Sequence, residues 1–561
     1  MLEQYNAAVA AAAPTTRAAL SIVRRQHRSR LPSGDAEKQL PLHSKLVKTI
    51  DVEAARSRMR ADVKSRFDAV FEQLLAGKTD GPDTEPQPSR HFSSADTDIL
   101  VRDGVCDPVS DIDRARRPTR GTMKAFTVVE LEKGRRRAIH WPEKQNAALG
   151  PEVYTPRVPL QHISAYLPVA HASWGAVLDL RCGFWQISIP QHARAAFRFC
   201  DAAGRVFEMK RLMMGHRSSV ELMQILCSVI AGDPAVVLPK YTAPAGVHVW
   251  VDGICYFADD KANVAAALEQ ARVAADQLRA TFKDPDFTPC REFDFIGVRW
   301  DLARHTVRLA DKTRQQLPES CPATMTAQDV EKLVGRLIYA AGVTQTPLVE
   351  HYFVMKWAKR ICHSINVGLR AVDDVVPVPA SVRPLVDKWL QQARATIRPR
   401  STNVAASAPS LFTDATLTNY GGVLITPEQR VLVTGAAFAD AESPGIAVRE
   451  AQAVLFCMQD FEQHLRSYKS VRVHIDNTTV EHSIRRGGAR TDILATVIRD
   501  VLHNAKKWNV TIAVERVASI DNIADAPSRS AELDAKKLAA ELAKRVPAYE
   551  RLGAGRAFSL T

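Results

Sequence analysis

The spacing of apolar positions divides the chain into stretches that predict different secondary structures. Residues 96–310 alternate short apolar runs with turn signals, which predicts strands and helices in mixed order. Over 311–400 the apolar residues recur at helical spacing, as in VEKLVGRLIYAAGV. Residues 408–530 return to a mixed pattern after RPRSTNVAASAPS, which has the composition of a linker. The sequence therefore predicts a mixed α/β (α+β) protein of several domains.

The two ends of the chain differ in character from its middle. Residues 1–95 combine an arginine-rich arm with a helical pattern over 52–77 and a polar segment after it. The arm is compatible with a transit peptide, but Glu3 and its weak amphipathicity favour a partly disordered, nucleic-acid-binding extension. Residues 531–561 contain the charged pattern ELDAKKLAAELAKRV, which predicts a C-terminal helix.

Four acidic residues near the C-terminus lie in sequence contexts that direct their carboxylates towards a common place. Asp414 follows the strand-like run SLFT, and Asp476 ends VRVHID, in which apolar residues alternate. Glu450 lies near the start of a helical stretch with an apolar stripe at three- and four-residue steps. Asp525 comes after the strand-like VTIAVERV. A single acid of this kind is usually a solvated surface charge, whereas four in matching contexts predict a shared metal site.

Two more aspartates are predicted at strand ends in the middle of the chain. The apolar run WGAVL predicts a buried strand that ends at Asp179. Further along, GVHVWVDGICYFADD allows a hairpin turn either around Asp252 or at 257–260. We favour the first, because a hairpin needs a strand on both sides and helical sequence begins directly after Asp260. In that interpretation Asp259 or Asp260 caps the helix.

Composition adds a basic surface and a reducing compartment to this picture. The chain of 561 residues is 46% hydrophobic and 24% charged, as expected of several soluble globular domains. Its formal net charge of +13 fits a polyanionic partner and fits a merely basic soluble surface equally well. Nine scattered cysteines without a CxxC pair predict an intracellular protein, nuclear or cytoplasmic, with mitochondria left open. No apolar run reaches the roughly 18 residues of a membrane span.

The order of the four C-terminal acids resembles that of the ribonuclease H family. They follow one another on a strand, a helix, a second strand and a late segment. In that family four acids hold two magnesium ions. The resemblance implies that Asp414, Glu450, Asp476 and Asp525 are catalytic metal ligands of a ribonuclease H-like domain over 408–530.

The middle of the chain resembles retroelement reverse transcriptases in blocks that occur in the same order. LDLRCGFWQI is similar to their first catalytic block and VWVDG to their YxDD block. GRRRAIHWPEKQN resembles the fingers block, FEMKRLMMGHRSSVELMQ the RLPFG…Q block, and CREFDFIGVRWD the primer-grip block. The similarity implies a right-hand polymerase with fingers and palm over 96–310, a helical thumb or connection over 311–400, and ribonuclease H after it.

The same resemblance implies roles for individual residues of the polymerase. Asp179 and Asp252 would hold two divalent ions, Mg²⁺ or Mn²⁺, which clamp the attacking and leaving oxygens of phosphoryl transfer. Phe184 matches the position whose ring excludes a ribose 2′-hydroxyl, with plain core packing as the alternative. The implied nucleotide contacts are Arg137 (Arg135 and Arg136 offer alternative registers), Phe184, Met214, Gly215 and Gln224.

Two positions depart from the family pattern. Gly253 stands where YxDD carries its second aspartate, and Met213 stands where the RLPFG block carries proline. The missing carboxylate is expected to lower polymerase activity unless a neighbour such as Asp259 compensates, and the principal metal-bridging pair is kept. Among retroelements, the divergent blocks look closest to the tyrosine-recombinase class, which includes trypanosomatid elements.

These resemblances predict an RNA-directed DNA polymerase with ribonuclease H activity from a retrotransposable element. The expected partners are an RNA template, a DNA primer, an RNA–DNA hybrid and dNTPs, with two Mg²⁺ or Mn²⁺ ions in each active site. Two alternatives stay open. One is a decayed or domesticated homologue that only binds nucleic acid, and the other is an enzyme active only as a ribonuclease H.

Overall fold

A computed structural model describes most of the chain between residues 40 and 529. The described residues are 40–77, 85–89, 92–130, 133–150, 153–158, 160, 162–283, 285–399, 407–439, 444–489, 491–529 and 559–560. The basic arm within 1–39, most of the predicted linker and the predicted C-terminal helix over 532–546 lie outside them.

The chain forms two compact units, Met1–Asp311 and Lys312–Thr561. Helices and strands occur in mixed order in both, so the predicted mixed α/β class is confirmed. Among the described residues, no helix is both long enough and apolar enough to cross a membrane. All nine cysteines are free thiols.

The first unit consists of small antiparallel sheets with helices packed against them. Its strands are β1 Cys106–Pro108, β2 Lys124–Glu130, β3 Arg135–Trp141, β4 Trp174–Asp179, β5 Arg198–Cys200, β6 Val206–Met209, β7 Gly246–Trp250, β8 Gly253–Ala258, β9 Glu292–Phe295, β10 Val298–Asp301 and β11 Thr306–Leu309. They form the sheets β1-β6-β5, β2-β3, β4-β8-β7 and β11-β10-β9. Its α-helices are Val52–Arg56, Ala61–Ala76, Ser94–Arg102, Asp111–Arg116, Glu143–Ala148, Ser219–Ala231 and Lys261–Leu278.

The helical pattern over 52–77, which the sequence placed in a leader, belongs to the core of the first unit. Helix Ala61–Ala76 buries Val63, Phe67 and Leu74, which recur at helical spacing, in the main hydrophobic cluster of that unit. The helix ends at Gly77, whose φ of 56° is the left-handed conformation that glycine adopts at no steric cost.

The sheet β4-β8-β7 positions the predicted polymerase aspartates. Strands β7 and β8 form a hairpin whose turn is Val251 and Asp252, and β4 pairs with β8 so that Asp179 lies opposite Gly253. The side chain of Asp260 accepts a hydrogen bond from Ala262 N and caps helix Lys261–Leu278. The hairpin therefore lies where the favoured interpretation of the sequence placed it.

The second unit has one large mixed sheet and several helices. Its strands are β12 Thr324–Thr326, β13 Val375–Pro377, β14 Ser410–Ala415, β15 Asn419–Ile425, β16 Arg430–Ala437, β17 Ser470–Ile475, β18 Thr511–Arg516 and β19 Ser559–Leu560. Its α-helices are Ala327–Val343, Tyr352–Asn366, Arg383–Ala393, Ile446–Asp460, Glu462–Leu465, Thr478–Arg486, Asp492–Trp508 and Asp525–Arg529, with Asp311–Gln315 at the boundary between the units.

The large sheet has the order β18-β17-β14-β15-β16-β19. Strands β14, β15 and β16 pair antiparallel, whereas β17 runs parallel to both β14 and β18. Helix Ile446–Asp460 packs on β14 and β15 through a stripe that includes Ala451, Val454 and Met458. The carboxyl ends of β14 and β17 therefore lie side by side, next to this helix.

Candidate active sites

Asp179 and Asp252 lie together at one end of the sheet β4-β8-β7, and we call them the first acidic site. Asp179 ends β4, and Leu180 N donates a 2.9 Å hydrogen bond to Asp252 O across the strands. Burial, followed by the charge of Asp179, raises the pKa of Asp252. Asp179 is exposed to solvent on one side. Partial burial of its carboxyl group nevertheless raises the pKa of Asp179, and the charges of Lys283 and Lys133 oppose this effect.

The segment after β4 leaves room for these carboxylates. A Cβ atom on Gly183 would lie 2.8 Å from Cβ of Asp252, closer than side chains approach in proteins. The preceding residue, Cys182, has a φ of 50° and begins the short 3-10 helix Gly183–Gln186. Glycine is therefore required at position 183 by the close approach of the hairpin.

The first acidic site opens into a cavity of about 520 Å³ with a basic wall. Lys133, Arg135 and Arg137 line it from the β2–β3 hairpin, and Lys283 lines it from the loop after helix Lys261–Leu278. Successive side chains of β3 point to opposite faces, so Arg136 turns away and binds both oxygens of Asp96 at 2.8 and 2.9 Å. Strand alternation thus favours Arg135 and Arg137 over Arg136 as anion contacts.

Glu130, at the end of β2, holds the two cavity arginines in place. Its Oε2 accepts from Arg135 Nε at 2.5 Å and its Oε1 accepts from Arg137 Nη2 at 2.7 Å. Burial opposes its ionisation, but the hydrogen bonds and charges of its basic neighbours lower the pKa of Glu130 overall. One carboxylate thus orients two guanidinium groups on the same face of β3.

The other predicted nucleotide contacts divide into two groups. Phe184 and Met214 line the cavity, and Phe184 also packs against the main hydrophobic cluster. Gly215 and Gln224 are not among the described residues that line it. A Cβ atom on Gly215 would lie 2.1 Å from His140 O, so this glycine allows its loop to pack against β3.

Gln224 instead supports the β7–β8 hairpin that carries Asp252. Its Nε2 donates to Val249 O at 2.9 Å, and its Oε1 accepts from Val251 N at 2.7 Å. Both ends of the buried amide are therefore bonded to the backbone beside Asp252. In the structure Gln224 therefore positions the hairpin and does not line the cavity.

The turn of the hairpin carries its positive φ at Val251 (58°) and not at Gly253. Positive φ at the first central residue alone is the pattern of a type II′ turn, where glycine is preferred. A β-branched residue in this conformation is strained by about 1–3 kcal/mol. A Cβ atom at Gly253 would lie 3.2 Å from Asp179 Oδ1, so a side chain there would require a small shift of this carboxylate.

Three of the four C-terminal acids form a cluster in the second unit, and the four together are called the second acidic site. Asp414 lies in β14, Glu450 in helix Ile446–Asp460, and Asp476 directly after β17. One carboxylate oxygen from each lies within 4.8 Å of the others. Burial, then the charges of its acidic neighbours, raises the pKa of Glu450 to about 9, and burial raises that of Asp414 to about 6.

The donor set of this cluster fits a hard divalent cation. All its ligand atoms are carboxylate oxygens, which Mg²⁺ and Mn²⁺ prefer. Oε2 of Glu450 is buried and has no hydrogen-bond partner, a costly state that a bound cation would relieve. Asp414, Glu450 and Asp476 are thus the residues that would hold the metal.

Asp525 occupies a more peripheral place. It begins the short helix Asp525–Arg529, and its Oδ1 accepts from Arg529 Nε at 2.6 Å. It does not belong to the group of ligand atoms within 4.8 Å among the described residues, although its charge contributes to the raised pKa of Asp414. The structure brings three of the predicted acids into contact range and the fourth beside them.

No protein-family model matches the chain, and no curated protein matches its sequence. The chain is similar in structure to foamy viral protease–reverse transcriptase. The dRH form with double-stranded DNA has a TM-score of 0.45 and 12% identity, covering 86% of this chain and 84% of that one. The RNA/DNA hybrid complex has a TM-score of 0.44 and 11% identity, covering 84% and 64%. The double-stranded DNA complex has a TM-score of 0.43 and 12% identity, covering 84% and 98%.

None of these similarities supports the finer placement in the tyrosine-recombinase class.

Sequence reasoning missed several residues at these sites. Lys133 and Lys283 line the first cavity, and no spacing or motif singles out either lysine. Asn522 and Ser528 flank Asp525 and bind β14. Their positions within the polar string SIDNIADAPSR give a sequence signal only for a loop, because Asn and Ser are common there.

Proposed function

We propose that the protein is an RNA-directed DNA polymerase with ribonuclease H activity, encoded by a retrotransposable element. The observation that carries the proposal is the presence of two separate carboxylate sites at strand ends, one beside a basic cavity and one in a buried cluster. The co-linear sequence blocks described above support the assignment of one site to synthesis and the other to cleavage.

In the polymerase, Asp179 and Asp252 would hold the divalent ions, which activate the primer hydroxyl and stabilise the leaving oxygens when bound. Arg135 and Arg137, oriented by Glu130, would bind the triphosphate of the incoming nucleotide. The ring of Phe184 would limit the space available to the sugar of the nucleotide. Trp250, Met214 and Leu160 contribute apolar lining to this cavity.

In the nuclease, Asp414, Glu450 and Asp476 would hold the metal that activates the attacking water and stabilises charge on the scissile phosphate. Asp414 and Glu450 are buried and Asp476 is half-buried, and the three come from a strand, a helix and a strand end, so regular elements hold the cluster in place. Asp525 would complete the coordination from the edge of the site.

The proposed partners are an RNA template, a DNA primer, their hybrid and dNTPs. The net charge of +13 would contribute a salt-dependent, largely sequence-independent attraction to the phosphate backbone. The tyrosine-recombinase class remains part of the proposal on the sequence blocks alone.

Primer extension on poly(rA)/oligo(dT), measured beside cleavage of a labelled RNA–DNA hybrid in Mg²⁺ or Mn²⁺, tests this function. We expect both activities in the wild-type protein and sparing of duplex DNA. Asp476→Asn should lose cleavage and keep extension. Absence of both activities in folded protein, with hybrid binding retained, would replace the proposal by a decayed or domesticated homologue that only binds nucleic acid.

A ribonuclease H without polymerase activity is the second candidate. It is favoured by Gly253, which removes a carboxylate from the first acidic site while the cluster in the second unit is intact. Cleavage without extension, in Mg²⁺ and in Mn²⁺ alike, would identify this alternative.

A further inference from the structure

The segment 519–529 forms hydrogen bonds to the large sheet on both sides of Asp525. Asn522, which is fully buried, donates from Nδ2 to Thr413 O at 3.0 Å, and its Oδ1 accepts from Ala524 N at 3.2 Å. At the other side, the hydroxyl of Ser528 donates to Oδ2 of Asp414. The segment therefore binds both the backbone before Asp414 and the carboxylate itself.

Two glycines of the sheet leave room for the backbone of this segment. Gly421 pairs with Asp414 across β14 and β15, and Gly435 pairs with Gly421 across β15 and β16. A Cβ atom on Gly421 would lie 2.3 Å from Ser528 N, and one on Gly435 would lie 3.0 Å from Pro527 O. The sheet thus accepts the backbone at Ser528 only because these positions lack side chains.

We propose that Ser528 is a positioning residue of the nuclease site, which fixes the rotation of the Asp414 carboxylate so that its other oxygen faces the metal. The inference rests on the proposed nuclease function. Ser528 is fully buried, and its backbone packs closely against Gly421 of the sheet. Without this donor, Asp414 would turn under repulsion from Asp476 and Asp525.

A bond of this kind acts on metal affinity. Ligating carboxylates are themselves held by hydrogen bonds, and loss of such a partner typically lowers metal affinity or activity about 10- to 100-fold. Ser528→Ala should therefore need about tenfold more Mn²⁺ or Mg²⁺ for half-maximal effect, with activity largely recovered at high metal concentration. A purely structural serine would lower the melting temperature equally at all metal concentrations.

The test is a Mn²⁺ titration of the full-length protein without nucleic acid, followed by melting temperature, and a parallel Mg²⁺ titration of hybrid cleavage. Ser483→Ala is the matched control, because Ser483 is also buried in the second unit but its hydroxyl bonds Thr479 O within a helix. We expect a raised metal midpoint for Ser528→Ala and a wild-type midpoint for Ser483→Ala. Equal midpoints in all three proteins would overturn the proposal.

Two further outcomes are decisive. If Ser528→Ala does not fold, Ser528→Cys retains a weak donor of similar size. Its midpoint should then lie above that of the wild type, and an unchanged midpoint would refute the role. If the wild-type protein shows neither metal stabilisation nor cleavage, the proposed nuclease function itself fails.

Discussion

The two acidic sites balance their negative charge in different ways. At the first, basic residues of the cavity oppose the effect of burial on the pKa: Lys283 and Lys133 for Asp179, and Arg137 and Lys133 for Asp252. At the second, carboxylates face one another, and burial with mutual repulsion raises the pKa of Glu450 to about 9. The first site thus has basic side chains in the same cavity as its carboxylates, whereas at the second three carboxylates lie within 4.8 Å of one another.

This difference matches two kinds of ligand. A nucleotide is an anion that arrives with a metal, so a basic wall beside two carboxylates suits it. A cluster of buried carboxylates is unfavourable when charged and empty, so metal binding should contribute to the stability of the second unit. The experiments that follow separate the sites by activity first and by stability last.

The largest expected effect comes from removing one carboxylate of the first acidic site. Asp252→Asn, like Asp179→Ala, should lower primer extension at least about 100-fold, since even a hydrogen-bond partner of a ligand contributes about 10- to 100-fold. Hybrid cleavage should persist, because the cluster in the second unit is untouched. Asp259→Asn is the control, and loss of extension in that variant with full activity in Asp252→Asn would contradict the assignment.

The second largest effect is expected on the discrimination between deoxyribonucleotides and ribonucleotides. Phe184→Ala enlarges the cavity beside the first acidic site, so a ribose 2′-hydroxyl would fit. We expect the ratio of dNTP to rNTP incorporation to fall by about 10-fold or more, as for other substrate differences set by pocket size. The comparison is single-nucleotide extension, and cleavage should not change. An unchanged ratio in folded protein would leave Phe184 with core packing only.

A smaller effect is expected at Gly253. Gly253→Asp would place a Cβ atom 3.2 Å from Asp179 Oδ1, so it should displace Asp179 and reduce extension. A loss of roughly three- to tenfold corresponds to about 1 kcal/mol of barrier, the scale of mild overpacking. Gly253→Ala should lose as much. A gain of activity in Gly253→Asp alone would show that the missing carboxylate limits the enzyme.

The smallest effect concerns the pH dependence of the metal-free second unit. The pKa of Glu450 is raised to about 9 and that of Asp414 to about 6, so folding takes up protons between about pH 4.5 and 9. The unfolding free energy should then rise as pH falls from 9 to 6. About 1 kcal/mol would raise the melting temperature by about 2–4 °C.

Calorimetry in EDTA at pH 6 and pH 9 measures this trend. Glu450→Gln cannot ionise, so its melting temperature should depend less on pH. In Mg²⁺ the melting temperature of the wild-type protein should instead rise with pH, because the metal displaces the protons. A melting temperature that rises with pH in the metal-free protein would mean that the carboxylates are not destabilised by burial.

The parts of this molecule that sequence could predict depend on local patterns. Alternation before Asp476 placed it at a strand end, and helical sequence after Asp260 fixed the register of the hairpin. The three- and four-residue apolar steps after Glu450 placed its carboxylate at the start of a buried helix. Each of these features follows from the periodicity of one element.

The remaining features depend on contacts between distant segments. The hydrogen bond from Ser528 to Asp414 joins residues 114 positions apart. Gln224 binds the hairpin from helix Ser219–Ala231, which precedes it in the chain. The positive φ of Val251 contradicts the local preference for glycine and is held by surrounding structure. Such features have no periodic signature in a single sequence.

The amide of Gln224 has one more consequence. Strand β7 is an edge of the sheet β4-β8-β7, and an open edge offers its backbone groups to any other strand. Val249 O and Val251 N point outward on the same side of that edge, and Gln224 binds both. The side chain that positions the hairpin thereby also occupies two backbone groups of this edge, so its loss would leave them open to pairing with another chain.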